Sequence, residues 1–185
     1  HLDCRRQRQM CIRDRFKDEF KKISPLSKIP VIIDHKNKKT VFESGAILIY
    51  LAELSEKFYN SEERLEINQW LMAQMGYVGP MLGQHHQFHH YNPGKSKFGE
   101  ERYFKISKRI YKELDERLSK SKYLSGDNYT IADIGTFPWI ARHEWHDIGL
   151  KNYKNLTRWY NEISKRDAVI KGFSFMNKNE LPPIA

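Results

Sequence analysis

Cysteine is nearly absent from this sequence of 185 residues. Both cysteines, Cys4 and Cys11, lie among the first 15 residues, and residues 16–185 contain none. A fold held by disulfides is therefore excluded for almost the whole chain, and a reducing compartment is expected, because disulfides persist mainly in oxidising ones. The two cysteines are not spaced as CxxC, so a redox centre built on protein thiols has no support.

Long hydrophobic runs are also absent. The longest, Gly45–Ala52, is far short of the roughly 18 apolar residues that would indicate a membrane span. The first 15 residues contain no apolar core of signal-peptide length. A composition of 39% hydrophobic and 30% charged residues is typical of a globular protein. We therefore expect a cytoplasmic protein without a membrane partner.

Positive charge is present but is not concentrated. The formal net charge is +9, of which five arginines and two aspartates in residues 1–15 account for a third, and the rest is spread mostly as single lysines. A nucleic-acid partner is not expected, since such surfaces cluster their basic residues. We interpret residues 1–15 as a basic segment outside the folded domains, artefactual or disordered; a natural basic arm or targeting segment is the alternative.

Residues 16–57 predict a small domain of helix, strand, strand and helix. A short helix from Phe16 ends before Ser24-Pro25, because the residue before proline avoids helical geometry. Strands are predicted at 29–34 and 40–42 with a polar turn between them. A helix is predicted over 43–57. Its buried face is expected to carry Ala46, Ile47, Tyr50, Leu51 and Leu54.

The remainder of the chain reads as helical. Residues 58–62 form a polar connection that we predict to be the interdomain linker, and residues 63–175 form an all-helical domain. Helices are predicted at about 63–87, 100–119, 130–146 and 155–165. Residues 176–185 are expected to be an irregular, proline-containing tail.

Two motifs in the small domain carry a family resemblance. Ser24-Pro25-Leu26-Ser27-Lys28-Ile29-Pro30-Val31-Ile32, followed by Phe42-Glu43-Ser44-Gly45-Ala46-Ile47, closely resembles the glutathione-binding half of glutathione S-transferases. The resemblance implies a thioredoxin-like domain in which Pro30 is cis and Ile29 offers its backbone N–H and C=O to the cysteinyl part of glutathione. Retained cis prolines usually shape tight turns, which fits such a site.

The charged ends of glutathione have candidate partners in the same motifs. The Glu43 carboxylate suits the γ-glutamyl ammonium, and the Ser44 hydroxyl with the N–H groups of a helix start suits the α-carboxylate. Lys28 suits the glycyl carboxylate as a point charge. The alternatives are that Glu43-Ser44 only caps a helix and that Lys28 is an ordinary surface lysine.

A third motif, Tyr123–Asp133, resembles the family's recurring sequence before a buried helix of the second domain. Thr130 and Asp133 there suit a capping box, which is a folding element rather than a catalytic one. The three motifs together predict an α/β thioredoxin-like N-terminal domain and an all-α helical-bundle C-terminal domain.

Further segments resemble the bacterial Nu-class branch, whose members bind glutathione or its disulfide and reduce disulfide bonds. These segments are Gly79–Gln84, Glu101–Tyr103 and Pro138-Trp139. The resemblance implies that Arg102 contacts the bound tripeptide, as a guanidinium holding a carboxylate. The alternative is a helix-surface arginine paired with Glu101 or a neighbour.

The stretch His85-His86-Gln87-Phe88-His89-His90 raises a metal hypothesis, because histidines four residues apart share a helix face. No nearby cysteine or acid completes a ligand set, so no metal is expected. The resemblance implies instead that this stretch lines the mouth of the active-site cleft. His85 and His89 are accordingly candidates for substrate contact.

The resemblance extends from residue 16 to about residue 173 and begins partway through the small domain. A preceding strand, helix and strand, which carry the family's sulfur-contacting residues, are expected to be missing, so no catalytic residue is named. The resemblance implies a homodimeric enzyme that uses glutathione as cosubstrate for disulfide or peroxide reduction or for conjugation, with activity in its full-length form. The alternative is a non-catalytic binding or interaction scaffold of the same fold.

Overall fold

The computed structural model describes residues 16–176 and 180–185, and the chain divides into two compact units, His1–Glu56 and Lys57–Ala185. The predicted basic segment 1–15 lies outside the described residues, as does part of the predicted tail. The first unit contains helices and a hairpin, and the described part of the second contains only helices.

The first unit has the predicted order of helix, hairpin and helix. Its elements are α1 (Asp18–Ile23), β1 (Val31–Asp34), β2 (Lys39–Phe42) and α2 (Ser44–Ser55). The two strands are antiparallel, with Val31 opposite Phe42 and Asp34 opposite Lys39. β1 begins two residues later than predicted. Proline has no N–H to donate to a ladder, so Pro30 is a natural limit for the strand.

Asp34 holds the hairpin turn and joins it to α2. Its Oδ1 accepts hydrogen bonds from the backbone N–H groups of Lys36 and Asn37 at 2.9 and 3.0 Å. Its Oδ2 accepts the Tyr50 hydroxyl at 2.6 Å. The bond from Tyr50, aided by the turn N–H groups, lowers the pKa of this carboxyl to about 2. The middle of α2 is thereby joined to the end of β1.

The predicted buried face of α2 is only partly correct. Ile47 is buried, at 7% exposure, but Leu51 and Leu54 are 47% and 54% exposed and Ala46 is exposed as well. The helix instead buries Gly45, Ile47 and Ala52. Its sequence is apolar on nearly every side, so helical spacing alone does not select one face.

The helical unit is longer and more interrupted than predicted. Its elements are α3 (Arg64–Ala73), a π-helical segment (Gln74–Val78), α4 (Gly79–His85), a second π-helical segment (His86–Tyr91), α5 (Lys97–Leu118), α6 (Ile131–Ile140), α7 (His143–His146), a 3₁₀ turn (Leu150–Asn152), α8 (Lys154–Ser164) and α9 (Asp167–Met176). The helix predicted over 130–146 is two helices. α9 was not predicted, although Val169, Ile170 and Phe173 recur there at helical spacing.

The core of the helical unit is rich in aromatic residues. Tyr111, Trp159 and Tyr160 are each 0% exposed and lie in one cluster with the aliphatic residues of α4 to α8. The predicted linker also belongs to this unit, because the Phe58 carbonyl accepts the N–H of Ile131 at 3.0 Å. That contact provides a partner for one of the N–H groups at the start of α6, which have none within the helix.

The capping box predicted at Thr130 and Asp133 is present. The Thr130 N–H donates to Asp133 Oδ2 at 3.0 Å. Oδ1 of the same carboxylate accepts the Leu124 N–H at 3.0 Å and the Trp159 indole N–H at 2.8 Å. Asp133 is 0% exposed, and this burial raises the pKa of its carboxyl. One side chain therefore joins the loop before α6, the start of α6 and α8.

The longest helix, α5, has 22 residues and carries charged side chains along its length. Within 16–176 and 180–185, no helix is both long and apolar enough to cross a bilayer.

Candidate functional site

The loop before β1 is closed by one buried serine. Ser24 is 1% exposed, and its hydroxyl donates to the Lys28 carbonyl at 2.7 Å while accepting the Lys28 N–H at 3.1 Å. The next peptide bond, Ile29-Pro30, is cis, as the resemblance implied. Residues 24–28 are therefore tied back on themselves, and the chain leaves this loop at Ile29.

Ile29 lies at the surface with its backbone open. It is 51% exposed, and the hydrogen bonds found among the described residues do not include its N–H or its C=O. An extended backbone with both groups available can pair with a peptide in the manner of an added strand. The side chain of Lys28 beside it is also exposed.

Glu43 has an unusual backbone conformation at the junction of β2 and α2. Its φ is 67° and its ψ is 123°, in a region that L-residues with a Cβ rarely occupy and that costs of order 1–3 kcal/mol. Its carbonyl still accepts the first helical bond, from the Ile47 N–H at 2.9 Å. Its exposed side chain makes no cap bond to the helix. The Glu43 carboxylate therefore does not cap α2, although the residue directly precedes the helix.

Ser44 is the first residue of α2 and is half-buried. Helix starts present N–H groups that the helix itself does not use, together with the positive end of its dipole. The Glu43-Ser44 pair thus places an exposed carboxylate beside a hydroxyl at a helix N-terminus. This combination suits an amino acid zwitterion, whose ammonium and carboxylate are carried on one carbon.

Arg102 lies on α5 in the helical unit. Its side chain is exposed, and it takes part in none of the ion pairs among the described residues. The alternative pairing with Glu101 is not among the ion pairs of the described residues, in which the Glu101 carboxylate instead lies 3.9 Å from the Lys97 ammonium. The predicted contact of Arg102 with the tripeptide stays a prediction.

The two histidine candidates differ in their surroundings. His85 is 0% exposed and its Nε2–H donates to the His146 carbonyl at 2.9 Å, so it has no surface with which to contact a substrate. His89 is partly exposed, with Nε2 3.9 Å from Asp147 Oδ2. The predicted contact of His89 with a substrate stays a prediction.

His146 is the residue that sequence reasoning missed. It is 0% exposed and lies at the centre of a histidine cluster, although in the sequence it follows Arg142-His143-Glu144-Trp145 and precedes Asp147. Its charged neighbours gave no signal of burial. Across 16–176 and 180–185 no group of three or more histidine, cysteine or acidic side chains is arranged to hold a metal ion.

Comparison with known proteins places the chain in a family. Residues 10–53 match the N-terminal domain of glutathione S-transferase, and residues 83–167 match the C-terminal domain. The first match begins at residue 10 rather than at residue 16. The chain is 42% identical over 161 residues to the disulfide-bond oxidoreductase YfcG of Escherichia coli, covering 83% of this chain and 75% of that protein.

Solved structures of similar proteins hold glutathione. A glutathione transferase from Burkholderia graminis, crystallised with two glutathione molecules per subunit, is 35% identical with a TM-score of 0.81, covering 90% of this chain and 75% of that one. A glutathione transferase from Pseudomonas putida, with one glutathione disulfide per subunit, is 36% identical with a TM-score of 0.76, covering 84% and 73%.

This chain belongs to the glutathione S-transferase family, and within it is similar to the disulfide-bond oxidoreductases. The predicted family and the predicted fold class, a thioredoxin-like N-terminal part with a helical C-terminal domain, are both confirmed.

Proposed function

We propose that this chain binds glutathione or glutathione disulfide through Lys28, Ile29, Pro30, Glu43 and Ser44. The observation that carries the proposal is the exposed Ile29 backbone next to a cis proline, in the same unit as a carboxylate that directly precedes a helix. The glutathione bound to its relatives supports the choice of ligand.

Each part of the tripeptide then has a chemically matched partner. The Ile29 N–H and C=O pair with the cysteinyl backbone, as a strand would. Glu43 and Ser44 take the γ-glutamyl ammonium and carboxylate, and Lys28 takes the glycyl carboxylate. Such a site binds the tripeptide through its backbone and its charged ends, so that the cysteinyl sulfur is left free to react.

The reaction that we propose is glutathione-dependent reduction of disulfides or peroxides, with conjugation as the alternative use of the same thiolate. In disulfide reduction, one glutathione thiolate attacks a substrate sulfur, forms a mixed disulfide and releases a thiol. A second glutathione resolves the mixed disulfide, which yields glutathione disulfide and the second thiol. The similarity to the YfcG oxidoreductase favours reduction.

Calorimetric titration of the chain with reduced glutathione and with glutathione disulfide tests the binding proposal. Saturable binding of either ligand is expected, and no detectable binding of either contradicts the proposal. A parallel assay follows reduction of a small symmetric disulfide by glutathione. Binding without turnover favours the scaffold alternative, in which the fold retains the ligand and not the catalysis.

Lys28→Ala is expected to weaken glutathione binding by about fivefold, because an exposed charge pair contributes about 1 kcal/mol. Binding of glutathione ethyl ester, in which the glycyl carboxylate is esterified and carries no charge, is expected to change less than twofold. Calorimetry with both ligands measures this. Lys36→Ala, which removes another exposed lysine of the same unit, is the control. Equal losses for the two ligands would show that Lys28 does not contact the glycyl end.

We also propose that the chain forms a homodimer through the helical unit. Residues 67–94 contain no Lys, Arg, Asp or Glu, in a chain that is 30% charged. Much of this segment is nevertheless exposed, including Met72 at 51% and Tyr77 at 42%. Depletion of charge on an exposed apolar surface is typical of the centre of an interface. A second copy of the chain contributes the same uncharged surface, so an interface between two copies buries no charged side chain of this segment.

Gly76→Glu is expected to convert the dimer to a monomer. Gly76 lies between Met72 and Tyr77, and a Cβ built there has nothing within 4 Å, so the added side chain projects into open space and does not disturb the fold. Sedimentation or light scattering measures the mass, and a halved value is expected. Gly172→Glu is the matched control, because that helical glycine in α9 is equally open. Unchanged mass for Gly76→Glu would refute this interface.

A further inference from the structure

A chain of hydrogen bonds runs through the core of the helical unit. The Tyr111 hydroxyl on α5 lies 2.6 Å from Nδ1 of His146 on α7. Nε2 of His146 lies 2.7 Å from Nε2 of His86, in the π-helical segment after α4. Tyr111 and His146 are 0% exposed and His86 is 7% exposed. Three side chains from three elements therefore share one buried network.

Each of the two hydrogen bonds in the network is made by a single hydrogen atom between its two heavy atoms. Tyr111 has no other hydrogen-bond partner among the described residues, so its O–H donates to His146 Nδ1. A neutral imidazole carries one N–H, which for His146 is then at Nε2 and donates to His86 Nε2. A proton added to His146 Nδ1 turns Tyr111 into the acceptor of that N–H, so the Tyr111 O–H loses its partner. A proton added to His86 Nε2 either faces the His146 N–H or forces the His146 proton onto Nδ1, with the same loss for Tyr111. Either addition leaves a buried positive charge and a buried donor without an acceptor.

The surroundings provide little compensation for a positive charge. Titratable and charged groups face the network from each element packed against it. Those of α4 and the π segment are His85, His89 and His90. Those of α7 and its flanks are Arg142, His143, Glu144 and Asp147, and those of the following turn and α8 are Tyr153 and Tyr160. Of the two carboxylates, Asp147 acts on His85 and Glu144 on His143. His86 and His146 face other histidines, and His86 also faces Arg142.

The network also fixes the position of α7. This helix has four residues, too few to be stable alone. It is held by the bonds of His146, by the bond from His85 Nε2 to the His146 carbonyl at 2.9 Å, and by stacking of Trp145 on His90 with 4.3 Å between ring centroids. Loss of the His146 side-chain bonds therefore removes its hydrogen bonds to α5 and to the π segment and leaves α7 with the bond from His85 and the ring contacts of Trp145.

We propose that the Tyr111–His146–His86 chain is an acid-sensitive latch, which holds α7 against its neighbours while the histidines are neutral and releases it when they take up protons. This function is separate from glutathione binding and rests on residues of the helical unit alone.

The pKa values agree in direction with this mechanism. Burial lowers the pKa of His86 to about 4 and that of His146 to about 2, and it also lowers the pKa of His85. In the open state the two histidines of the network, His86 and His146, regain an ordinary pKa of about 6.5. A lowered pKa in the closed state means that the latch is fully stable above pH 6.5 and loses stability as the pH falls below it.

Hydrogen exchange of residues 141–153 tests the latch. Protection, corrected for the intrinsic exchange rate, is expected to be about 100-fold lower at pH 5.5 than at pH 7.5, because two histidines each contribute about tenfold one pH unit below their open-state pKa. His86→Gln keeps a hydrogen-bonding group at that position and does not titrate, so its loss is expected to be about tenfold. His35→Gln, which replaces an exposed histidine of the first unit, is the control and should keep the 100-fold ratio.

A protection ratio below about threefold in the unchanged protein overturns the proposal, as does an equal ratio in His86→Gln. Should His86→Gln not fold, NMR titration of the histidine rings in the unchanged protein decides. The proposal is supported if the ring signals of His86 and His146 do not titrate between pH 7.5 and 5.5 in the closed state. Titration near pH 6.5 with protection of 141–153 retained overturns it.

Discussion

Asp133→Ala is expected to destabilise the helical unit by about 3 kcal/mol or more. The carboxylate is 0% exposed and accepts hydrogen bonds from the N–H groups of Leu124 and Thr130 and from the indole of Trp159. Alanine leaves three buried donors without a partner, and each costs about 1–3 kcal/mol. Asp133→Asn keeps one acceptor oxygen, so an intermediate loss is expected.

Urea unfolding followed by tryptophan fluorescence measures this effect. All four tryptophans lie in residues 57–185, so the signal reports on the helical unit. Asp127→Ala is the control, because Asp127 is exposed and, among the residues that the structure describes, accepts only the Lys122 N–H at 3.4 Å. Its loss should stay below about 0.5 kcal/mol. A loss below about 1 kcal/mol for Asp133→Ala, the cost of a single unpaired donor, would show that Asp133 does not hold these segments together.

Replacing Glu43 and Ser44 together by alanine is expected to reduce glutathione affinity by about 100-fold or more. In the proposed complex the ammonium and the carboxylate of the γ-glutamyl group lose their partners. Hydrogen bonds to charged groups contribute about 1.5–3 kcal/mol each, and about 1.4 kcal/mol is tenfold in affinity. Alanine has a Cβ like glutamate, so the φ of 67° at position 43 is equally tolerated and the backbone is not expected to relax.

The chain provides a matched control for this variant. Glu53 and Ser55 lie at the other end of α2 and are exposed, so Glu53→Ala with Ser55→Ala removes the same two residue types from the same helix. Calorimetry should give this control the affinity of the unchanged protein within about twofold. A similar loss in both double variants would indicate damage to α2 rather than loss of a ligand contact.

The sequence predicted most of the fold because its strongest signals are local. The hairpin followed from apolar runs on either side of the polar turn 35–39, and the capping box from the spacing of Thr130 and Asp133. The cis bond at Pro30 and the two-domain fold were inferred from the motifs rather than from periodicity. All of these features depend on residues close together in the sequence.

The features that were missed depend on contacts between distant segments. Burial of His146 arises from Tyr111, His85 and His86, which are 35 to 61 positions away. The exposed face of α2 was not predictable, since that helix is apolar all round. The left-handed backbone at Glu43 also had no signal, because glutamate is not a residue that favours it.

The most direct test of the proposed site compares two ligands on two proteins. Glutathione and the dipeptide Cys-Gly, which lacks the γ-glutamyl group, are titrated into the unchanged chain and into the Glu43→Ala, Ser44→Ala variant. If Glu43 and Ser44 hold the γ-glutamyl group, glutathione binds the unchanged chain at least about 100-fold more tightly than Cys-Gly, and the variant binds the two ligands within a few-fold of each other. If the variant still prefers glutathione by the same factor, the γ-glutamyl group is held elsewhere and the site proposed at the start of α2 is wrong.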